Sequence, residues 1–517
     1  MKQIGLIIFQ LLLFGNIYSQ QLRTINIDVD NVRGRHSKVF KNCVGAGRAN
    51  EGLRVDWQQQ LQMAHEEIGF KYIRFHGLLH DDMGVYHVDK DGNSRYSWDY
   101  IDKLYDFILE IGMKPLVELS FTPEKLKSGD ETVFWWKGNI TPPKSYEKYE
   151  EFIRALIKHF EDRYGHDEVK TWYFEVWNEP NHHAFFTGKR EDYFKIYETA
   201  ARAIKSVSTN YRVGGPATAG GQWVKEIMEF CDTNNVPLDF IATHVYGVEG
   251  FLDEFGTKQL KMISDPDNMA KQVWGLRNNT IAKSKYKGME MHITEWNSSY
   301  SPRDPVHDTY QNASYVLNTL KQTEETATSM SYWTFTDIFE ESGVPLGPFH
   351  GGFGLLNLQD IKKPTYFAYK YMNQLGSMEL VNADSNSWVC KEGDDIQVLL
   401  WDFTFTGQDS ISNQVYYKRE LPSAKKGTTK LNFSNLSDGK YKLLVYKTGY
   451  KHNDAYTAYF NMGSPDNLSK TQVAELKDRT KDAPVLEKQL KVKNGKYNME
   501  LILDENDIYL VKLIKEQ

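Results

Sequence analysis

Three cysteines in 517 residues, Cys43, Cys231 and Cys390, are too few and too far apart for a disulfide framework or a metal-ligand cluster. They read as buried free thiols. An excess of positive charge is also missing. The formal net charge of −7 excludes the basic face that phosphate contact needs, and with it a nucleic-acid partner. Past the N-terminus no apolar run is long enough to span a bilayer. A phosphate-binding glycine fingerprint is lacking too, because Gly45-Ala46-Gly47 has neither the third glycine nor a following βαβ context. No low-complexity linker divides the chain, so its parts are expected to pack tightly.

Aromatic residues are what the chain has in excess: 31 Tyr, 27 Phe and 12 Trp. A large core absorbs most of them. The remainder suits the C–H faces of sugar rings. Hydrophobic content of 40% and charged content of 25% are those of an ordinary globular protein with a sizeable core. The length fits two or three domains.

The first residues stand apart from the rest. Lys2 supplies a positive start, Ile4 to Phe14 is a short apolar run, and Asn16 to Gln20 turns polar with a small residue at Ser19. This reads as a signal peptide over residues 1–19, and the mature protein is expected to be secreted or periplasmic.

Residues 20–35 then alternate like a half-buried strand, in Leu22 to Val29. Eight β-like runs follow: Asn42–Ala49, Lys71–Gly77, Lys114–Ser120, Thr171–Pro180, Arg212–Gly220, Asp239–Tyr246, Glu290–Asn297 and Ser329–Asp337. Several are nearly continuous in apolar residues, as strands covered on both faces are. Helical faces separate them. Tyr193, Ile196, Tyr197, Ala200, Ala201, Ile204 and Val207 share one face, as do Ile101, Leu104, Tyr105 and Ile108, and Tyr149, Phe152, Ile153, Leu156 and Phe160. Ser97 is placed to cap the second of these helices and Gly112 to end it. A last helix is expected from about Tyr366 to Leu375.

Strand and helix alternating eight times predict an α/β fold, a (β/α)8 TIM barrel over residues 36–375. A doubly wound open sheet is the alternative. Beyond it, alternation returns in Ile396–Phe403, Tyr441–Lys447, Tyr497–Leu503 and Ile508–Ile514, separated by turn residues. Residues 376–517 therefore read as a β-sandwich, which the strand in 20–35 joins because an orphan strand needs a partner. Ser469–Arg479 is a polar helical stretch within it.

A barrel carries its chemistry at the C-terminal ends of its strands. Two glutamates stand there. Glu179 ends the fourth strand within Asn178-Glu179-Pro180, and Glu295 ends the seventh within Thr294-Glu295-Trp296-Asn297. Strands four and seven face each other across the mouth, so two carboxyl groups can flank a glycosidic bond. One must arrive protonated, to give the leaving oxygen its proton. The other must be ionised, to attack the anomeric carbon. Repulsion from Glu295 is expected to raise Glu179. Glu175, earlier in the fourth strand, reads as an ion partner inside the barrel. Arg74 reads either as the source of positive potential at Glu295 or as a structural ion pair.

Trp172-Tyr173-Phe174-Glu175-Val176-Trp177-Asn178-Glu179-Pro180-Asn181 resembles the acid/base signature of family 39 glycoside hydrolases, which contain β-xylosidases and α-L-iduronidases. Thr294 to Tyr300 with His307-Asp308-Thr309 resembles the nucleophile region of the β-xylosidase branch, and Tyr332 to Glu341 with Phe349 to Leu355 the strand-eight region. The likeness covers most of residues 36–375. It implies a retaining exo-acting glycosidase, with Glu179 as acid/base and Glu295 as nucleophile. Its substrate is an oligosaccharide or glycoside, and no metal or other cofactor is implied.

The resemblance also implies a sugar-binding shell. Asn178 meets the 2-OH, Tyr246 donates to Glu295, His76 and His244 bond hydroxyls, and Trp333 forms an apolar floor. Glu340 and Glu341 accept hydroxyl donors, and His350 contributes from the next loop. His76 and His244 also fit as satisfied barrel-end histidines, Trp333 as core, and one of Glu340 and Glu341 as a loop charge. His182-His183 lacks the spacing of a metal site. An α-L-iduronidase activity needs a cation for the substrate carboxylate, and Arg303 is the nearby candidate. Arabinosidase and galactosidase activities fit the same fold. The reading from another class, a carbohydrate-binding protein without catalysis, has to account for both glutamates.

Overall fold

A computed structural model describes residues 22–516 of the chain, so the signal peptide expected at residues 1–19 lies outside the described residues. Eight parallel strands close into a barrel: β1 (Cys43–Arg48), β2 (Tyr72–His76), β3 (Lys114–Leu119), β4 (Tyr173–Val176), β5 (Arg212–Ala219), β6 (Phe240–Tyr246), β7 (Glu290–Asn297) and β8 (Ser329–Tyr332). They are neighbours in chain order, and β8 pairs with β1 to close the ring. This is a (β/α)8 barrel, and each strand lies within the run read from sequence.

Helices cover the outside with the faces expected. In Tyr146–Tyr164, Tyr149, Phe152, Ile153, Leu156 and Phe160 are buried, and Ser145 caps the start by accepting from the Lys148 amide. In Arg190–Val207 the predicted face is buried except for the half-buried Val207 at the end. The helix at Asp99–Glu110 corrects one expectation. Trp98, not Ser97, sits at its cap, and no side chain caps it. Packing sets this start, since Trp98 stacks with Tyr96 and lies parallel to Phe152.

Apart from three short two-stranded ribbons, the other described strands form two sheets. Arg23–Asp28 runs parallel to Lys425–Ser434, which pairs with Tyr497–Asp504. A seven-stranded sheet contains Val32–Arg35, Met378–Leu380, Ser387–Glu392, Asp395–Trp401, Ile508–Lys515, Gly439–Thr448 and Leu486–Val492. Ile25, Ile27, Leu431 and Phe433 from one sheet share a core with Val398, Leu443, Val511 and Leu513 from the other. The result is a β-sandwich with both N-terminal strands built into it. The opposite face of the large sheet joins the barrel core, where Trp388, Trp401 and Leu510 belong to the same apolar cluster as Tyr369 and Tyr371. Barrel and sandwich thus share one interior. The three cysteines are free and buried. Among the described residues no helix is long and apolar enough to cross a membrane.

One buried charge cluster holds the loop that follows β8. Lys363 Nζ lies 2.6 Å from Asp308 Oδ1, 2.7 Å from Asp337 Oδ2 and 2.8 Å from the Gly352 carbonyl, with all three side chains fully buried. The other carboxylate oxygens accept backbone amides, Gly351 to Asp308 at 2.8 Å and Gly354 to Asp337 at 2.7 Å. Phe353 is held between those two amides. Removing the cation leaves two buried carboxylates facing each other, so Lys363→Met is expected to destabilise the protein by about 3–5 kcal/mol. Urea unfolding checks this, and a change below about 1 kcal/mol contradicts a structural role for the cluster.

Candidate active site

The site begins with the backbone at two strand ends. After β4, Trp177 and Glu179 both take positive φ, 71° and 46°. Non-glycine residues hold such angles only when their surroundings impose them. Here the Glu179 amide donates to the Ala217 carbonyl at 2.8 Å, and the Trp177 indole donates to the Phe185 carbonyl at 3.0 Å. On β7 the pairing with β6 skips Thr294: Thr243 opposes Ile293, and His244 opposes Glu295. A regular strand sends neighbouring side chains to opposite faces, whereas this bulge lets both turn inward. Thr294 donates to Glu175 at 2.7 Å, and Glu295 reaches Arg74.

Arg74 on β2 is the hub. It is fully buried, with Nε 2.5 Å from Glu175, Nη1 2.7 Å from Glu295 Oε1, and Nη2 2.8 Å from Glu118. The two readings of Arg74 are therefore both satisfied by one side chain. Nη2 also donates to Asn178 Oδ1 at 2.9 Å, which orients the amide so that Asn178 Nδ2 is the free donor. The second oxygen of Glu295 accepts from the Tyr246 hydroxyl at 2.7 Å.

Glu179 is held from the other side. His244 Nδ1 lies 2.8 Å from Glu179 Oε1 and 3.5 Å from Glu295 Oε2. A ligand-type atom from each of Glu179, His244 and Glu295 lies within 4.8 Å of the others, so the two carboxyl groups face one another across a short gap. These three are also the residues of the site best placed to hold a cation.

Burial shifts the protonation of several of these groups. It pushes Glu179 up to about 7, against the nearby charges of His182, His76 and Arg74. This corrects the expected cause, since desolvation rather than Glu295 does most of the work. Burial also pushes His244 down to about 3, so its ring is neutral at neutral pH. His76 behaves oppositely. Burial alone lowers it, but Glu118 at 2.7 Å from Nδ1, together with Glu341 and Glu295, raises it to about 10. Glu341 is raised to about 7 by burial, with His76 opposing.

These groups surround a cavity of about 400 Å³ at the barrel mouth. His76, Asn178, Glu179, Tyr246, Glu295, Trp333 and Glu341 line it. Trp333 is both floor and core: it lines the cavity at 2% exposure, and β1 accommodates it through Gly45, where a Cβ atom would sit 2.3 Å from the indole. Three expectations need correcting. His244 stands behind Glu179, fully buried, and does not reach the rim. Glu340 turns away to ion pairs with Arg54 at 2.8 Å and Arg48 at 3.3 Å. His350 spends Nδ1 on the Gly347 carbonyl at 3.1 Å, outside the lining. Of the two adjacent glutamates, Glu341 enters the site, and the Trp135 amide holds its carbonyl at 2.8 Å.

Sequence reasoning missed His182, Phe185, Ala219, Tyr300 and Phe353, which also line the cavity. All but Ala219, the last residue of β5, lie beyond the strands, where no periodicity marks direction. Their position three to six residues past Glu179 or Glu295 was the signal available for His182, Phe185 and Tyr300.

A parallel barrel whose mouth holds two facing carboxyl groups, one buried and protonated near neutrality, defines the class: a barrel glycosidase. The chain belongs to the glycosyl hydrolases family 39, whose profile matches residues 23–498. It is 37% identical over 502 residues to a beta-xylosidase of Geobacillus stearothermophilus, covering 95% of each chain. It is 45% identical over 364 residues to a beta-xylosidase of Caldicellulosiruptor saccharolyticus, covering 69% of this chain and 72% of that one. Among solved structures, a monomeric beta-xylosidase from Caulobacter crescentus CB15 matches with a TM-score of 0.93 at 41% identity, over 96% of this chain and all of the other.

The raised His76 has a consequence for stability. Its ordinary value of 6.5 applies to the unfolded chain and about 10 to the folded one. The proton it holds therefore stabilises the fold fully below about 6.5, and that contribution is lost as pH rises toward 10. The stability gap between wild type and His76→Gln is expected to shrink over this interval. Thermal unfolding at a series of pH values measures it, and a constant gap contradicts the assigned charge.

Proposed function

We propose that the chain is a retaining exo-β-xylosidase, with Glu295 as nucleophile and Glu179 as acid/base. The observation that carries this is the approach of the two carboxyl groups to within 4.8 Å, atom to atom. Retaining enzymes place their carboxyl groups about 5–5.5 Å apart, and inverting ones about 6.5–9.5 Å to admit a water between them. The names of the relatives at 37–45% identity favour a xyloside over other glycosides.

The geometry supports a double displacement. A neutral His244 protonated at Nδ1 donates to Glu179 Oε1, leaving Oε2 to carry the acidic proton toward the cavity. Glu295, held through one oxygen by Arg74 and through the other by Tyr246, attacks C1 of the terminal xylose. The C1–O bond breaks as Glu179 protonates the leaving oxygen, giving a glycosyl ester on Glu295. Glu179, now a carboxylate, removes a proton from water as that water attacks C1 and the ester bond breaks. The Asn178 amide, fixed by Arg74, meets the 2-OH, where hydrogen bonds strengthen in the transition state. His76 as a cation and Glu341 bond the remaining hydroxyls.

The α-L-iduronidase reading needs a cation for the substrate carboxylate. Arg303 donates to the Ser342 carbonyl at 2.7 Å and lies outside the cavity lining, so it does not supply one. For the N-terminus we keep the reading of an exported protein, cleaved near Ser19. N-terminal sequencing of material recovered outside the cytoplasm tests that, and an intact Met1 there contradicts it.

Hydrolysis of nitrophenyl xyloside, arabinoside, galactoside and iduronide, compared side by side, tests the sugar. Xyloside turnover with β-xylose as the first product is expected, and α-xylose as first product excludes retention. Glu295→Ala is expected to abolish turnover. Glu179→Gln is expected to lower kcat on xylobiose by about 10²–10⁴-fold, and by much less on substrates with good leaving groups. Because the acid form of Glu179 is the active one, kcat/KM on xylobiose falls as pH rises through about 7. A Glu179→Gln variant that keeps this alkaline limb rules out the assignment.

A further inference from the structure

Glu51 is a buried acid that no step of the double displacement uses. It lies in the short helical turn Ala49–Leu53, directly after β1, at 1% exposure. Burial pushes its carboxyl up to about 8, with Glu340 adding to the effect and two backbone amides and Arg48 opposing it. Arg48 Nε stands off at 3.8 Å. An acid kept in such a place costs stability that a leucine of similar size would not, so its presence calls for a role of its own.

Its two oxygens join two separate segments. The Arg48 amide donates to Oε2 at 3.2 Å, from the start of the same turn. The Glu340 amide donates to Oε1 at 2.9 Å, from the loop after β8. β1 leaves room for the carboxyl at Gly47, where a Cβ atom would sit 2.3 Å from Oε2 and 3.0 Å from the Phe339 ring. The residue after Glu340 is Glu341, which lines the cavity and lies 3.4 Å from His76 Nε2.

We infer that Glu51 is a positioning residue of the active site: its carboxyl fixes the backbone at Glu340 and so sets where the Glu341 side chain enters the cavity. The inference rests on the glycosidase reading above and adds to it a residue outside the cavity lining.

The loop needs such an anchor. From Phe339 to Ser342 it has neither strand nor helix to hold it. Its backbone is fixed at three points: the Glu340 amide by Glu51, the Glu341 carbonyl by the Trp135 amide at 2.8 Å, and the Ser342 carbonyl by Arg303 at 2.7 Å. Trp135 is 58% exposed and Arg303 half-buried, whereas Glu51 is enclosed. A hydrogen bond shielded from water is the stronger restraint. The same turn also reaches the segment that carries Trp135, because the Arg48 guanidinium lies over the Trp136 ring at 5.3 Å. Without the Glu51 carboxyl, the Glu340 amide loses its buried partner and Glu341 is free to shift along the cavity wall.

A double-mutant cycle on the full-length protein tests this, with nitrophenyl β-xyloside as substrate. Glu51→Leu keeps the volume and removes both acceptors. It is expected to lower kcat/KM about ten- to a hundredfold, with a rise in KM contributing. Glu51→Gln keeps one acceptor oxygen and is expected to lose less. In a Glu341→Ala background the leucine substitution is expected to lower kcat/KM by less than about twofold, because no side chain remains to be placed. Losses that multiply across the two sites overturn the inference. A fall in kcat at unchanged KM, which a smaller folded fraction gives, overturns it as well, and so does a leucine variant with wild-type kinetics. If thermal unfolding shows that the leucine variant does not fold, the glutamine variant carries the same cycle under the same criteria. Wild-type protein silent on the whole panel of nitrophenyl glycosides overturns the glycosidase reading, and the positioning role falls with it.

Discussion

The guanidinium of Arg74 sits at the centre of the barrel mouth and binds Glu118, Glu175, Glu295 and the carbonyl oxygen of Asn178. Everything the site does passes through that arrangement. A carboxylate inside a protein is stable only when paired, and an attacking carboxylate must also keep its orientation. Arg74 meets both needs, because its planar fork of donors fixes several partners at once. The same contact turns the Asn178 amide toward the cavity. One cation thus orients both the Glu295 carboxylate and the Asn178 amide.

Around this hub the two glutamates acquire different chemistry from different surroundings. Glu295 has a donor on each oxygen. Glu179 has a neutral histidine on one oxygen and the cavity on the other, and burial without a paired cation raises it. His76, tied to Glu118, carries the second positive charge of the site and offsets the crowd of acids. The two carboxyl groups therefore differ in their partners: Glu295 is bonded through both oxygens, and Glu179 is left largely to desolvation.

The loops matter as much as the strands. The backbone reversal after β4, the bulge in β7 and the ion triad under the β8 loop each aim side chains that a regular (β/α)8 frame would send elsewhere. The sandwich shares the barrel's core and takes in the strand Arg23–Asp28.

The sequence by itself determined the eight buried runs, the helical faces between them and the two glutamates at strand ends, because each of these is a local pattern of apolar spacing or a short motif. Several sandwich strands escaped it. Leu486–Val492 is largely exposed and lysine-rich, so it shows little apolar alternation, and Val32–Arg35 is an edge piece defined by its partner Met378–Leu380. The sequence also offered Glu340, Glu341 and His350 with no means of telling which one faces the cavity. Only the tertiary structure decided that, together with the meeting of Arg74 with carboxylates up to 221 positions away and the protonation of Glu179. Direction, distance and burial between remote segments are properties of the folded interior, where a charge is governed by neighbours that the linear chain does not place beside it.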